Sequence, residues 1–155
     1  MERKDWRFCS QEDETISLHD CVMDGVNWAE SGIWLSFENG FNVTKDNSLN
    51  PTGRHRLTGK AAVFLSNGVY LEGAWNRNCT MQTPSDPEPI LLQETPIPQE
   101  QFADWSPEVL DFTWEPENQR FSIDAVDHIG FCEINFSCTE LWFCWNELPE
   151  DAWFQ

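Results

Sequence analysis

Two similar segments, centred on Asn39-Gly40 and Asn67-Gly68, constrain the fold of this chain most. Each has the pattern apolar, x, apolar, polar, Asn-Gly, apolar, x, apolar, and the two Asn-Gly pairs lie twenty-eight residues apart. A two-residue turn of type I′ needs positive φ at both central residues, which Asn and Gly tolerate best. The pattern therefore predicts tight turns at both pairs, within β-hairpins that supply the central strands of an antiparallel sheet.

Alternating apolar residues predict further short strands, at residues 16–23, 26–29, 33–37, 109–114, 121–123, 131–138 and 141–145. The first fifteen residues are polar and are expected to form a loose arm or one short helix. About nine short strands at close spacing, without long amphipathic helices, predict an all-β or β-dominated α+β fold. An antiparallel sandwich or a strongly bent sheet fits this pattern.

The length of the chain predicts a single domain over residues 1–155. Six of the nine prolines lie between residues 83 and 107, where they disfavour a central strand because proline has no N–H to donate. We interpret this stretch as a Pro-rich crossover within the domain, because each flank is small for an independent core.

The formal net charge is −18, and it is unevenly distributed. Residues 1–77 hold eight Lys/Arg and eleven Asp/Glu, a balance of −3, whereas residues 78–155 hold sixteen Asp/Glu and only Arg120, a balance of −15. Such a field repels nucleic-acid phosphates and anionic membrane surfaces. It predicts a basic protein partner, which the charge would attract. The alternative is that the charge only keeps an aromatic-rich chain soluble.

The N-terminal ten residues contain no apolar signal-peptide segment, and no run approaches the ~18 apolar residues of a membrane span. A cytoplasmic location is expected, so the six cysteines should be reduced thiols. The glycine-containing stretch at 53–61 departs from the phosphate-binding loop in spacing, and Ala61 replaces the hydroxyl that would hold Mg²⁺. No cofactor is predicted.

His19, Asp20 and Cys21 are residue types that bind metals or act in catalysis. On a strand, His19 and Cys21 would point to one side as a two-ligand arm, and a small hydrolase or metal-dependent enzyme could use this segment. The absence of a C-x2-C pair favours Cys21 as a small buried hydrophobe instead. Cys21, His128 and Asp127 are also the residue types of a nucleophile, base and acid, without a local motif to support them.

Trp34 and Trp142 fall opposite the Ile/Leu/Phe faces of their strands. If the sheet has a solvent-exposed face, they would be platforms for a protein or a sugar. If both faces are covered, they would belong to a second core layer.

Four short stretches carry a resemblance: 18–21 (LHDC), 35–43 with its Asn-Gly pair, 58–61 (TGKA) and 144–147 (CWNE). In these the chain resembles short uncharacterised bacterial cytosolic proteins. In charge and size it is similar to immunity proteins of bacterial toxin systems, which neutralise basic toxin domains by direct binding. This resemblance implies a binding function and assigns no functional residue.

The leading hypothesis is a non-enzymatic acidic domain that binds a basic protein partner, as an immunity-type inhibitor does. Glu133, Glu140 and Glu147 are the predicted partner-binding carboxylates, with Trp142 as an aromatic anchor, because charge steers and desolvated aromatics hold. The alternatives are an enzyme that uses the His19-Asp20-Cys21 segment and a carbohydrate-binding module. The oligomeric state is left open.

Overall fold

The structure is a computed structural model, and it describes residues 1–78 and 92–155. Strands dominate these two ranges, which confirms the β-dominated fold. In chain order the strands are β1 (Phe8–Ser10), β2 (Ile16–Ser17), β3 (Gly25–Ala29), β4 (Gly32–Phe37), β5 (Asn42–Val43), β6 (Arg56–Leu57), β7 (Ala61–Ser66), β8 (Val69–Asn78), β9 (Leu92–Pro96), β10 (Glu108–Glu115), β11 (Arg120–Val126), β12 (Phe131–Ser137), β13 (Glu140–Trp145) and β14 (Glu150–Asp151). The short 3₁₀ helices are Arg3–Asp5, Asp13–Thr15, Gln99–Asp104 and Pro116–Asn118.

The strands form three antiparallel sheets. Sheet 1 has the order β1-β13-β7-β4-β3, sheet 2 the order β10-β11-β12-β8-β9, and sheet 3 the order β14-β6-β5-β2. Sheets 1 and 2 contribute to one hydrophobic core, with Leu35, Val63 and Phe143 from sheet 1 and Ile123 and Ile134 from sheet 2 fully buried. Burying the apolar faces of two sheets in one core is the sandwich arrangement that the alternation predicts.

Both Asn-Gly pairs lie in tight turns, as predicted, with the N–H of Gly40 donating to the Phe37 carbonyl at 2.9 Å and that of Gly68 donating to the Leu65 carbonyl at 3.0 Å. These hydrogen bonds make Gly40 and Gly68 the last residues of their turns, so the central residues are Glu38-Asn39 and Ser66-Asn67 rather than the Asn-Gly pairs. Of these four central residues only Asn67 has positive φ, at 54°, so neither turn is of type I′.

The strands that flank each Asn-Gly turn do not pair with each other. Strand β4 lies in sheet 1 and β5 in sheet 3, while β7 lies in sheet 1 and β8 in sheet 2. Each turn therefore carries the chain from one sheet to another. Consecutive strands pair elsewhere, at β3–β4, β5–β6, β10–β11 and β11–β12. Strand β4 pairs with β7, so the two similar segments are joined through their first strands.

The strand predicted over residues 16–23 is largely wrong. Only Ile16–Ser17 is a strand, and His19 and Asp20 form a turn closed by the Cys21 N–H donating to the Leu18 carbonyl. Asp20 has a φ of 63°, which Asp adopts more readily than most residues. Because the chain turns here, His19 and Cys21 are not neighbours on one face of a strand.

The N-terminal arm and the Pro-rich crossover contain more structure than the sequence predicts. Strand β1 forms the edge of sheet 1 by pairing with β13. Strand β9 forms the edge of sheet 2. The sequence allows one or two helical turns over residues 99–105, and Gln99–Asp104 is a 3₁₀ helix. The apolar run at residues 90–92 predicts an extended edge; residues 90 and 91 lie outside the described residues, and Leu92 begins β9.

The alternation predicted for β12 and β13 is confirmed on the core side, where Cys132, Ile134 and Phe136 are buried. Asn135 is an exception on the opposite side, because it is only 6% exposed and its side-chain oxygen accepts a hydrogen bond from Ser122 at 2.7 Å. Within the described ranges, none of the helices has the length and apolar character that spanning a membrane requires.

Candidate functional site

The outward side of sheet 2 is strongly acidic. Outward residues alternate with core residues along each strand, and directly paired residues of neighbouring strands share a side. We call this surface the acidic face, and its carboxylates are Glu72, Glu94, Glu108, Asp111, Glu115, Asp124 and Glu133. All except Glu115 are exposed to solvent.

Three of these carboxylates form one row across neighbouring strands. Asp111 of β10 lies directly opposite Asp124 of β11, and Asp124 lies directly opposite Glu133 of β12. Like charges in directly opposite positions destabilise a sheet. Partial burial, together with the charges of Glu133 and Asp111, raises the pKa of Asp124. The row therefore keeps negative charges close together at a cost to folding.

Little positive charge compensates the acidic face. Arg120 is the only basic residue among the described outward positions of sheet 2, and its Nη2 lies 3.6 Å from Oε1 of Glu72. Both side chains are well exposed, at 41% and 74%, so the pair contributes little to stability. The carboxylate row remains available to a cation from outside the chain.

A shallow cleft of about 180 Å³ lies on the acidic face above β8. Glu72, Glu94 and Glu133 line it, with the small residues Gly73 and Ala74 between them. An open depression bordered by three carboxylates matches the charge and hydrogen-bonding needs of a lysine or arginine side chain. The cleft therefore fits a basic residue of a partner better than an apolar ligand.

Exposed apolar side chains lie beside the carboxylates. Phe131 precedes Glu133 on the same side of β12 and is 62% exposed, and Val69 of β8, opposite Ser137, is 54% exposed. An exposed aromatic beside a charged cleft is the composition found at protein-binding hot spots. Phe131 is an exposed aromatic side chain on this face, whereas the aromatic anchor predicted from the sequence is Trp142.

The four residues predicted to bind a partner do not share one surface. Glu133 lies in the acidic row, whereas Glu140 begins β13 in sheet 1 and accepts a hydrogen bond from Gln11 at 3.3 Å. Glu147 lies beyond β13 with its carboxyl group against Gly59. Trp142 is half-buried on sheet 1 beneath the Arg3 guanidinium, which is 4.1 Å from the ring centroid.

A second, larger cleft of about 410 Å³ lies where the His19-Asp20 turn meets the C-terminal residues. Its lining includes His19, Asp20, Cys21, Asn42, Leu57, Glu150, Asp151 and Trp153. Asn42 is 3% exposed, and its Oδ1 has no hydrogen-bond partner among the residues that the structure describes. Trp153 is 70% exposed. The cleft thus combines hydrogen-bond acceptors with an exposed aromatic ring.

Among the groups considered for catalysis, the Cys21 thiol and the His19 ring both contact backbone carbonyl groups. The Cys21 thiol lies 3.6 Å from the His19 carbonyl oxygen, to which it donates, and burial raises its pKa to about 11, so it stays a thiol at neutral pH. His19 has its Nδ1 2.8 Å from the Leu110 carbonyl oxygen. The described ranges hold no cluster of three or more His, Cys, Asp or Glu side chains suited to a metal ion.

Asp127, considered with Cys21 and His128 as a possible catalytic acid, has a structural role. Its Oδ2 accepts hydrogen bonds from the indole N–H groups of Trp75 at 2.9 Å and Trp105 at 2.8 Å. Its Oδ1 accepts the backbone N–H groups of Ile129 and Gly130. Burial alone would raise the pKa of Asp127, but these four donors outweigh burial and lower it.

Asp111 and Asp124 are the partners of Glu133 that the sequence analysis missed. Asp111 lies at an outward position of the predicted strand 109–114, and Asp124 directly follows the predicted strand 121–123, so continuing the alternation by one residue was the available signal. Their position opposite Glu133 depends on strand order and register, including an irregularity between Val109 and Asp111 that shifts the register of β10.

No family model, no curated protein and no solved structure matches this chain. The acidic face and the cleft are therefore the basis on which a function can be inferred.

Proposed function

We propose that this protein binds a basic protein partner through the acidic face of sheet 2 and has no catalytic activity. The observation that carries the proposal is the row Asp111–Asp124–Glu133, three carboxylates in direct register with no described cation between them. Repulsion within the row opposes folding, and lysine or arginine side chains of a partner would relieve it.

Different residues of the acidic face would attract the partner and slow its dissociation. The carboxylate row would steer a basic partner and raise the association rate. A lysine or arginine of the partner would enter the shallow cleft between Glu72, Glu94 and Glu133, while Phe131 would lose its exposure in the contact. A desolvated aromatic side chain mainly slows dissociation.

The resemblance in charge and size to immunity proteins supports one class of partner, a basic toxin domain. Such an inhibitor acts by covering a basic surface, which requires complementary charge and shape but no catalytic group. This fits a site composed of carboxylates and one exposed aromatic ring.

The test begins with a pull-down from the native host and identification of the bound protein by mass spectrometry. Association rates are then measured across salt concentrations, because the Debye length falls from ~30 Å at 0.01 M to ~10 Å at 0.1 M. We expect the triple variant Asp111→Asn, Asp124→Asn, Glu133→Gln to associate more slowly and with a flatter salt dependence. The matched control, Glu30→Gln, Glu140→Gln, Glu147→Gln, removes the same charge from residues outside the acidic face and should change the rate much less.

Two aromatic variants separate binding from folding. Phe131→Ala should speed dissociation with little change in melting temperature, because the side chain is exposed. Trp142→Ala should lower the melting temperature and leave dissociation unchanged, because its ring packs within sheet 1. Association rates that respond neither to salt nor to the triple variant would contradict the proposal.

A second candidate function is favoured by the exposed Trp153 ring beside the carboxylates of the larger cleft. We propose that this cleft binds a hydroxyl-rich ligand such as a saccharide. The carboxylates of Asp20 and Glu150 can accept hydrogen bonds from hydroxyl groups, and Trp153 offers a ring for the C–H face of a sugar.

Screening of a glycan array, followed by calorimetry, tests this second function. Trp153→Ala should abolish binding without unfolding the protein, since the ring is 70% exposed. Cys21→Ser should retain binding. Hydrolysis of a bound saccharide that is lost in Cys21→Ser would support the enzyme alternative instead.

A further inference from the structure

Two cysteines far apart in sequence meet at the edge of sheet 1. Cys9 of β1 lies directly opposite Cys144 of β13, and their Sγ atoms are 2.8 Å apart. The Cα atoms of directly opposite residues in an antiparallel pair lie about 4.5–5.5 Å apart, within the range of about 4.4–6.8 Å that disulfides need. The backbone therefore already holds the two sulfur atoms in a position that permits a bond.

The two thiols differ in access and in acidity. Cys9 is half-buried, whereas Cys144 is fully buried. A hydrogen bond from Cys144 and the nearby charge of Arg3 lower the pKa of Cys9, against the opposing effect of burial. The same hydrogen bond and burial raise the pKa of Cys144. Cys9 thus has the accessible, thiolate-prone character of an attacking cysteine, with a second thiol next to it.

We propose that Cys9 and Cys144 form a redox-active dithiol site in which hydrogen peroxide oxidises Cys9 and Cys144 converts the product into a reversible disulfide. The inference is independent of the acidic face and of the larger cleft.

The reaction is balanced for atoms and electrons. The Cys9 thiolate attacks one oxygen of hydrogen peroxide, the O–O bond breaks, and the departing hydroxide takes a proton to become water. The Sγ of Cys144 then attacks the sulfur of the Cys9 sulfenic acid, an S–S bond forms, and the S–O bond breaks. The oxygen leaves as a second water carrying the Cys144 proton. The two sulfur atoms supply two electrons, which a dithiol reductant returns when it breaks the disulfide.

Cys21, Cys132 and Cys138 are poor competitors. All three are buried, and burial raises the pKa of Cys21 to about 11 and of Cys132 and Cys138 to about 12. Oxidation follows thiolate character and exposure, so these thiols should be slow to react. Cys79 lies outside the described residues, and the experiment removes it.

The bond would link two positions that are 135 residues apart in the chain. Strand β1 has only three residues and lies at the edge of sheet 1. Constraining so long a loop in the unfolded chain should raise the melting temperature by roughly 10 °C. The disulfide would also keep the N-terminal residues close to sheet 1.

The experiment treats the full-length Cys79→Ser variant with hydrogen peroxide. We expect the thiol count of the denatured protein to fall from five to three, peptide mapping to find a linked Cys9–Cys144 peptide pair, and a dithiol reductant to restore all five thiols. The oxidised form should melt at a higher temperature, and the amides of Phe8, Cys9 and Ser10 should exchange hydrogen more slowly.

Three further variants in the same background separate this site from general oxidation. In Cys9→Ser, the rapid fall in the thiol count under peroxide should not occur. In Cys144→Ala, Cys9 should remain a sulfenic acid that a dimedone probe labels. The matched control Cys138→Ala, also at a buried position, should form the same disulfide as its parent. Preserved thiols under peroxide, a linked pair other than Cys9 and Cys144, or rapid disulfide formation in Cys9→Ser would each overturn the inference.

Discussion

The outward sides of the two large sheets differ in composition and in exposure to solvent. At the centre of the outward side of sheet 1 the residues are apolar and covered: Trp34 is 1% exposed and Phe64 6% exposed, and the two rings are 4.4 Å apart. Residues of the N-terminal arm cover them, with Trp6 stacked on Trp34 and the Arg3 guanidinium above Trp142. The outward side of sheet 2 instead carries seven carboxylates, all of which except Glu115 are exposed, and its apolar residues Phe131 and Val69 are exposed as well.

Two sheets that share one core can thus differ in role, one contributing to stability and the other to interaction. A sheet that is apolar on both sides must be covered, and in sheet 1 a second aromatic layer and the N-terminal arm provide the cover. Sheet 2 needs no cover, so its outward side can carry charges that oppose folding. Uncompensated charge is therefore expected to serve binding on sheet 2, whereas the tryptophans of sheet 1 serve stability.

Trp34→Ala should have the largest effect on stability, because it removes a fully buried side chain from the outer layer of sheet 1. We expect a loss of about 3–5 kcal/mol in the free energy of unfolding, measured by chemical denaturation. Trp34→Phe should cost less, because it keeps a ring and removes an indole N–H that has no described partner. An Ala variant as stable as the parent would show that this layer is not a core.

Asp127→Asn should have the next largest effect on stability. It contrasts a carboxylate that stabilises the fold with the carboxylates of the acidic row. Unlike the acidic row, Asp127 accepts four hydrogen bonds, two of them from Trp75 and Trp105. An amide has only one oxygen, so at least one pair of donors loses its acceptor, at a cost of about 2–3 kcal/mol. Chemical denaturation measures this cost, and Asp104→Asn, at an exposed site, is the control.

The pH dependence of stability should separate the two aspartates. The folded pKa of Asp127 lies below the ordinary value of 3.8, so its contribution is present above that pH and is lost as pH falls through the folded pKa. The folded pKa of Asp124 lies above 3.8, so its ionisation destabilises the fold as pH rises from 3.8 through the folded pKa. We therefore measure the free energy of unfolding between about pH 2 and pH 6. As pH falls, it should decrease less in Asp127→Asn than in the parent protein. Equal acid sensitivity of parent and variant would contradict the assigned hydrogen bonds.

Asp124→Asn should have the smallest effect and the opposite sign. Removing the central charge of the row relieves repulsion on both sides, and we expect a gain of about 0.5 kcal/mol at neutral pH after solvent screening. The gain should shrink as salt rises, which thermal denaturation at low and high ionic strength can measure. A loss of stability would mean that the row is compensated by a group other than those described.

Much of the local structure could be predicted from the sequence. Alternation along 131–138 and 141–145 identified the buried sides of β12 and β13, because side chains of a strand alternate by geometry. The exclusion of a phosphate-binding loop likewise needed only residue spacing. The half-chain charge balance pointed to the region that contains most of the acidic face.

The structure of the His19-Asp20-Cys21 segment was not predicted correctly. Its alternation over residues 16–23 imitates a strand, but the chain turns at Asp20, and hydrogen bonds to the region near Val109 hold the turn. Those contacts are remote in sequence, so no local pattern could reveal them.

The sequence by itself determined strand-forming alternation, the positions of the tight turns and the excess of negative charge, because each depends on neighbouring residues. Tertiary structure alone decided that the Asn-Gly turns join different sheets, that Asp111, Asp124 and Glu133 form one row, and that Cys9 meets Cys144. The physical reason is that strand pairing is non-local: the partner and register of a strand are set by burial of the whole core, and a short strand is compatible with many partners.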